Sequence, residues 1–300
     1  MIVDTTYCAH RITDVHGQRG VAWLAQLPAL LDEFAARWSL TIAPPFPVPS
    51  CNYVAPATGP GGATLVLKAG VPHGELWSEI DALLLFDGRG MARLLDADRA
   101  RGVLLLERVL PGDSLHGLPD AEQISALTDV LRRLWRPLPA GHPFRTIPDL
   151  ARGLDRLRDT FAGGYGPFPP RRVERAAALF RELTADAAPP VLIHGDANPG
   201  NVLRCDRDGW LAIDPKGYDG HPLWDIATYL NDPPPAAPDE TRRRQQRRVA
   251  RLAEALAEPR AAILAWAEAH AVLSAWWSYE DHGTGWEPGL ALAEEYEAMG

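Results

Sequence analysis

Between Ile193 and Asn201 the chain reads Ile-His-Gly-Asp-Ala-Asn-Pro-Gly-Asn, and thirteen residues beyond that last Asn comes Asp214, closing the apolar run Trp210-Leu211-Ala212-Ile213. A carboxylate, an amide and a second carboxylate at this spacing suit phosphoryl transfer. Asp196, on a tight loop, can orient a hydroxyl and accept its proton. Asn201 and Asp214 supply oxygen ligands to Mg2+, a hard cation that takes few protein ligands and fills its shell with water and phosphate oxygens. A lone His-x-Asp would be ordinary turn chemistry, because Asp, Asn, Gly and Pro dominate turns for conformational reasons. Three such positions in step with a strand-loop-strand pattern go beyond that.

Positioning them requires a hairpin. Asn201-Val202-Leu203-Arg204 and Trp210 to Ile213 read as short strands joined at Asp206-Arg207-Asp208-Gly209, which returns Asn201 and Asp214 to one end. His194 and Asp225 are expected to support the site. Asp225 opens a helix over 224–230, either as its N-terminal cap or as a brace for the Asp196 loop. Only residues 215–223 separate Asp214 from that helix, too few to bind a polypeptide substrate, so the acceptor should be a small molecule. His194 and His221 lack a zinc-site spacing.

A phosphate-transfer site also needs positive charge. Lys68 ends the strand Thr64-Leu65-Val66-Leu67, and the following helix offers Glu79 to hold its ammonium, with Glu75 one turn earlier as the substitute. Leu106-Glu107-Arg108-Val109 can present backbone groups to an adenine, which makes Glu107 and Val109 candidate nucleotide contacts. The glycine-rich loop of protein kinases is missing: the first turn, residues 43–49, contains no glycine, and there is no Walker A sequence.

At 300 residues, 46% of them apolar and 23% charged, the chain is large enough for two lobes with well-filled cores. Residues 1–110 carry a leading helix (Gly20 to Trp38) and strand-like runs at 40–42, 51–54, 64–67, 91–95 and 102–106, and should form a nucleotide-binding lobe. Residues 111–300 are mainly helical, with periodic faces such as Ile124, Leu127, Leu131 and Leu134, and hold the catalytic hairpin and acceptor pocket. The fold class is therefore α+β, a small antiparallel sheet followed by a helical lobe. Pro167 to Pro170 and Pro233 to Pro235 read as surface connectors. The basic run from Arg242 to Arg248 reads as a solvated helix face.

A net charge of -9 argues against nucleic acid as a partner and favours a cationic ligand. Trp276, Glu280 and Asp281, at the end of a long helix, together with Asp219, are the expected acceptor contacts, because aromatics and carboxylates suit amines and guanidines. Three scattered cysteines offer neither a disulfide framework nor a metal site. No run resembles a signal peptide or membrane span, so a cytoplasmic monomer or homodimer is expected.

These residues resemble the aminoglycoside phosphotransferase superfamily, within it the branch of streptomycin 6-kinases and hydroxyurea phosphotransferases. Beside the stretch from His194 to Asn201, the likeness rests on Phe86-Asp87-Gly88-Arg89-Gly90, Leu105-Leu106-Glu107-Arg108, Ala212-Ile213-Asp214-Pro215-Lys216, and Leu273-Ser274-Ala275-Trp276 with Glu280-Asp281. The resemblance implies a two-lobed protein-kinase-like fold using ATP and Mg2+, with Asp196 as base, Asn201 and Asp214 on the metal and Lys68 on the phosphates. The acidic balance and the aromatic-acid helix end favour a streptomycin-like acceptor ahead of hydroxyurea or another natural product. A nucleotide-binding module without turnover is the remaining alternative. Two departures are Asn198, where members often carry His, and the bulky Trp277-Ser278-Tyr279.

Overall fold

The computed structural model describes residues 3–185, 189–232 and 237–300, so the connector at Pro233 to Pro235 lies outside the described residues. The chain divides into two compact units, Met1–Gly112 and Asp113–Gly300.

In the first unit, helix α1 (Ala9–Arg37) turns one side inward through Ile12, Trp23, Leu27, Leu30, Leu31 and Phe34. It starts earlier than the spacing predicts, because two helical pieces join across a kink at Gly17, whose φ of 54° suits glycine. Strands β1 (Thr41–Ile42), β2 (Tyr53–Thr58) and β3 (Thr64–Ala69), then helix α2 (Gly74–Phe86), β4 (Leu94–Asp98) and β5 (Val103–Glu107) follow. They form an antiparallel sheet in the order β1-β2-β3-β5-β4. Strand alternation buries Tyr53, Ala55 and Ala57 of β2 with Leu65 and Leu67 of β3 against α1. Strand β4 lies three residues later than its apolar run suggested. Met91 and Ala92 are buried ahead of it, and none of the edge strand's own residues is fully buried, with a register shift between Leu94 and Asp96.

Strand β6 (Pro111–Ser114) spans the boundary between the units. The second unit continues with α3 (Asp120–Leu134), β7 (Arg136–Pro137), β8 (Arg145–Thr146), α4 (Ile147–Ala151), α5 (Gly153–Thr160) and α6 (Pro170–Ala185). Then come β9 (Val191–Ile193), β10 (Val202–Cys205), β11 (Gly209–Ala212), β12 (Tyr218–Gly220), α7 (Leu223–Leu230), α8 (Pro238–Leu256), α9 (Arg260–His282) and α10 (Glu287–Met299). Helix α9 is apolar nearly all round, as a central helix must be, and packs against α5, α6, α7, α8 and α10. The short strands β7, β9, β12 and β8 pair in that order. Strands β10 and β11 form the expected hairpin.

The basic run on α8 is not wholly solvated. Arg248 is buried on the same face as Val249 and Leu252, with its guanidinium on Asp120 Oδ1 at 2.8 Å and over the Tyr229 ring at 4.7 Å. No helix among the described residues is long and apolar enough to cross a membrane.

Candidate active site

Strand β9 ends at Ile193 and the chain turns at once into the Asp196 loop. Gly195 makes that turn: its φ is +85°, and a Cβ there would lie 2.6 Å from the Tyr218 ring. Only glycine meets both conditions without strain.

Asp225 braces the turn and is not a helix cap; the capping position of α7 belongs to Pro222. Fully buried, Asp225 accepts the His194 N–H on Oδ2 at 3.0 Å, the Gly195 N–H on Oδ1 at 2.7 Å, and the Trp135 indole N–H on Oδ2 at 2.9 Å. Burial pushes its carboxyl up, while the nearby His194 and these three donors pull it down.

His194 ties the two functional loops together. The Asp196 N–H donates to Nδ1 at 3.1 Å, which places the ring proton on Nε2, 2.8 Å from the Ile213 carbonyl. The His194 carbonyl accepts the N–H groups of Lys216 and Gly217 at 2.8 and 3.1 Å. One residue therefore bonds to Asp196 and to both flanks of Asp214.

The Asp196 carboxylate receives Asn198 Nδ2 on Oδ1 at 2.9 Å and Asn201 Nδ2 on Oδ2 at 3.3 Å. Asn201 Nδ2 also donates to the Asp196 carbonyl at 2.9 Å, so the amide nitrogen is engaged and Oδ1 is the donor atom of Asn201 that these bonds do not use. The hairpin register pairs Val202 with Ala212, and the Ile213 N–H donates to the Asn201 carbonyl at 2.9 Å. Asp214 follows directly, so it and Asn201 share one end of the hairpin. Asp214 has φ 54°, left-handed backbone that Asp and Asn tolerate better than other side chains, and such conformations concentrate at functional sites. An amide oxygen and a carboxylate, both hard donors, fit a hard divalent cation that keeps most of its shell for water and phosphate. No group of three or more His, Cys, Asp or Glu poised to hold a metal occurs among the described residues.

In the first unit the Lys68 ammonium donates to Glu79 Oε1 at 2.6 Å, with both side chains buried. Glu75, the substitute, is exposed in the first turn of α2. Glu107 pairs with Leu65 at the end of β5, its N–H donating to the Arg93 carbonyl at 3.0 Å, and Val109 lies just beyond the strand, half-buried.

Two expected acceptor contacts need correction. Trp276 is 1% exposed and sits among Phe161, Phe168 and Tyr279, a core ring with no face for a ligand. Glu280 is held in a fork by Arg156, at 2.9 and 3.0 Å. A cationic acceptor would have to displace that guanidinium. Asp281 is exposed, and Asp219 lies on β12 with His142 Nε2 3.3 Å from its Oδ2. Sequence reasoning missed the contacts of Asn198, Trp135 and His142. Asn198 was visible inside the motif, whereas Trp135 and Asp225 are 90 positions apart and nothing local links them.

A base-like carboxylate fixed by amides, beside two hard oxygen donors and preceded by a small sheet with a buried Lys–Glu pair, defines a small-molecule kinase. Residues 37–282 match the family described as aminoglycoside/hydroxyurea antibiotic resistance kinase, and the chain belongs to that family. It is 31% identical over 276 residues to streptomycin 6-kinase of Streptomyces glaucescens, covering 91% of this chain and 89% of that one. It is 36% identical over 217 residues to hydroxyurea phosphotransferase of Kitasatospora aureofaciens, covering 71% and 64%. Among solved structures, choline kinase LicA from Streptococcus pneumoniae superposes with a TM-score of 0.65 at 12% identity, covering 91% of this chain and 98% of that one. A ternary complex of aminoglycoside phosphotransferase APH(4)-Ia with ADP and hygromycin B gives 0.57 at 13%, covering 88% and 97%. The kinase-like α+β fold is thereby established, and membership of the family makes the protein a nucleotide-using phosphotransferase with a small-molecule hydroxyl acceptor.

Proposed function

We propose that the protein transfers the γ-phosphate of ATP to a hydroxyl of a streptomycin-type aminoglycoside, and so confers resistance in the cytoplasm. The observation that carries this reading is the Asp196–Asn201–Asp214 geometry inside a chain that shares about 30% identity with two streptomycin 6-kinases over nearly its whole length. Asp196 is the base: Asn198 and Asn201 hold its carboxylate in one orientation, and the acceptor hydroxyl gives up its proton there as the O–P bond forms. Asn201 Oδ1 and Asp214 are the residues to hold Mg2+, which when bound neutralises phosphate charge. Lys68, kept in place by Glu79, supplies fixed positive charge for the phosphates, and backbone groups of Glu107 and Val109 contact the base, which makes residues 1–110 the nucleotide-binding part and 111–300 the catalytic and acceptor part. Asp219 and Asp281 remain the acceptor carboxylates.

The hydroxyurea phosphotransferase relative supports a second reading, with hydroxyurea as acceptor. Incubation of the purified protein with ATP and Mg2+ and each acceptor, read by ADP release and by the mass of the product, separates the two. Phosphorylated streptomycin is the expected result. ADP release with hydroxyurea alone selects the second reading, and no turnover with any acceptor would favour a nucleotide-binding module.

A further inference from the structure

His142 and Asp219 form a pair that the phosphate chemistry leaves unused. Asp219 sits on β12, whose neighbour Tyr218 points its ring at Gly195; strand alternation sends Asp219 to the opposite face. There it meets His142, on the connection between β7 and β8, with Nε2 3.3 Å from Asp219 Oδ2 and only 20% and 12% of the two side chains exposed. Phe144 stacks on the imidazole, centroids 5.8 Å apart at 23°. The same sheet carries β9, which leads into the Asp196 loop, and register pairs Asp219 with Leu192.

Each partner also has one buried atom with no hydrogen-bond partner among the described residues: Asp219 Oδ1 and His142 Nδ1. A buried polar atom left unpaired costs on the order of 1–3 kcal/mol, so such atoms call for an explanation. Their chemistry is of one kind. Oδ1 is an acceptor in any ionised carboxylate, and Nδ1 is an acceptor in the tautomer that keeps the imidazole proton on Nε2, the nitrogen facing Asp219 Oδ2. Two acceptors, one of them anionic, beside an aromatic stack match a donor-only cation. An alkylammonium offers three N–H bonds, and a guanidinium a planar set of five. Burial pushes the Asp219 carboxyl up, with His142 pulling it back; a bound cation would favour the ionised form further.

We propose that the His142–Asp219 dyad is the subsite for an amino or guanidino group of the acceptor. The proposal rests on the streptomycin-type reading given above, since hydroxyurea carries no such cation.

The test uses the full chain with Asp219→Asn and His142→Gln, each checked by thermal melting, and two acceptor probes: streptomycin, which carries guanidino groups, and neutral hydroxyurea. Asp219→Asn should raise the KM for streptomycin by roughly tenfold or more, the order of one charge-assisted contact, and His142→Gln by several-fold. The KM for ATP should stay where it is, and the effect on streptomycin should exceed any on hydroxyurea about tenfold. If streptomycin is phosphorylated and both variants leave its KM within about twofold, or both acceptors suffer equally, the dyad is structural and the inference falls while the kinase reading stands. If the wild-type protein does not phosphorylate streptomycin, that reading falls, and calorimetry decides the subsite. Streptomycin binding that Asp219→Asn abolishes keeps it, and no binding to the wild type overturns it as well.

Discussion

The Asn198 side chain is used at both ends: Nδ2 donates to Asp196 Oδ1 at 2.9 Å while Oδ1 accepts the Gly200 N–H at 2.9 Å. The Asp196 carboxylate is thus tied to the turn Pro199–Asn201 that delivers Asn201, and neither can rotate without breaking a bond. Here an amide holds the carboxylate.

Asn198→Ala should therefore lower kcat by roughly tenfold, the equivalent of about one ordinary hydrogen bond, while leaving the KM values for nucleotide and acceptor close to wild type. Steady-state kinetics at saturating ATP decide it. A rise in KM with kcat intact would mean that Asn198 contacts substrate and does not position the base.

Removing the proposed base, Asp196, should cost far more. Asp196→Asn is expected to fold normally, keep nucleotide affinity and lose roughly 10² to 10⁴ in kcat, the range for a positioned general base. Unimpaired turnover would place the base elsewhere.

For Asp214 the informative change is to Asn. Alanine would add a backbone penalty of about 1–2 kcal/mol at φ 54°, whereas Asn tolerates that conformation and removes only the charge. Asp214→Asn should leave the melting temperature nearly unchanged and sharply weaken Mg-dependent ATP binding in calorimetry. Intact Mg–ATP affinity would move the metal contact to another residue.

How much of this could be read from the chain follows from sequence distance. The meeting of Asn201 and Asp214 at one end of a hairpin was legible because turn residues and alternating apolar positions set the register locally. Lys68 and Glu79 were legible because a strand end and the first full turns of the next helix fix their separation. Trp276 was misread because a Trp near a helix end looks the same whether it meets solvent or Phe161 and Phe168, which come from more than 100 positions earlier. Arg248 was misread for a related reason: its partner, Asp120, is 128 positions away, and a run of arginines gives no sign of which one turns inward. Strand β4 was displaced because the apolar run begins with Met91 and Ala92, buried ahead of the strand, while the edge strand itself is held by backbone pairing and buries none of its residues fully.

Gly195 tests how strictly the loop geometry is needed. Gly195→Ala forces a Cβ to within 2.6 Å of the Tyr218 ring and 3.1 Å of Lys216 Cβ, on backbone with φ +85°. Strain of this kind costs on the order of 1–3 kcal/mol and displaces the Asp225 contact with the Gly195 N–H. The variant should melt several degrees lower and lose most of its activity even at temperatures where it is fully folded. Activity equal to wild type below the melting point would show that the loop tolerates displacement.

The last expectation concerns acid stability and turns on His270. Its Nδ1 lies 2.9 Å from Asn231 Nδ2, which makes Nδ1 an acceptor and the ring neutral. Full burial in α9 lowers its pKa from 6.5 to about 4. A group whose folded pKa is depressed contributes stability that is complete above its unfolded pKa and is lost as pH falls through the folded one. The native state therefore loses ground between pH 6.5 and about 4, by up to about 3 kcal/mol, since each unit is worth ~1.4 kcal/mol. Urea unfolding at pH 7, 5.5 and 4.5 should show this decline in the wild type and a shallower one in His270→Gln. The glutamine amide keeps a neutral polar side chain beside Asn231 and does not titrate. Parallel declines in the two proteins would assign the acid sensitivity to other buried groups and leave His270 a packing residue.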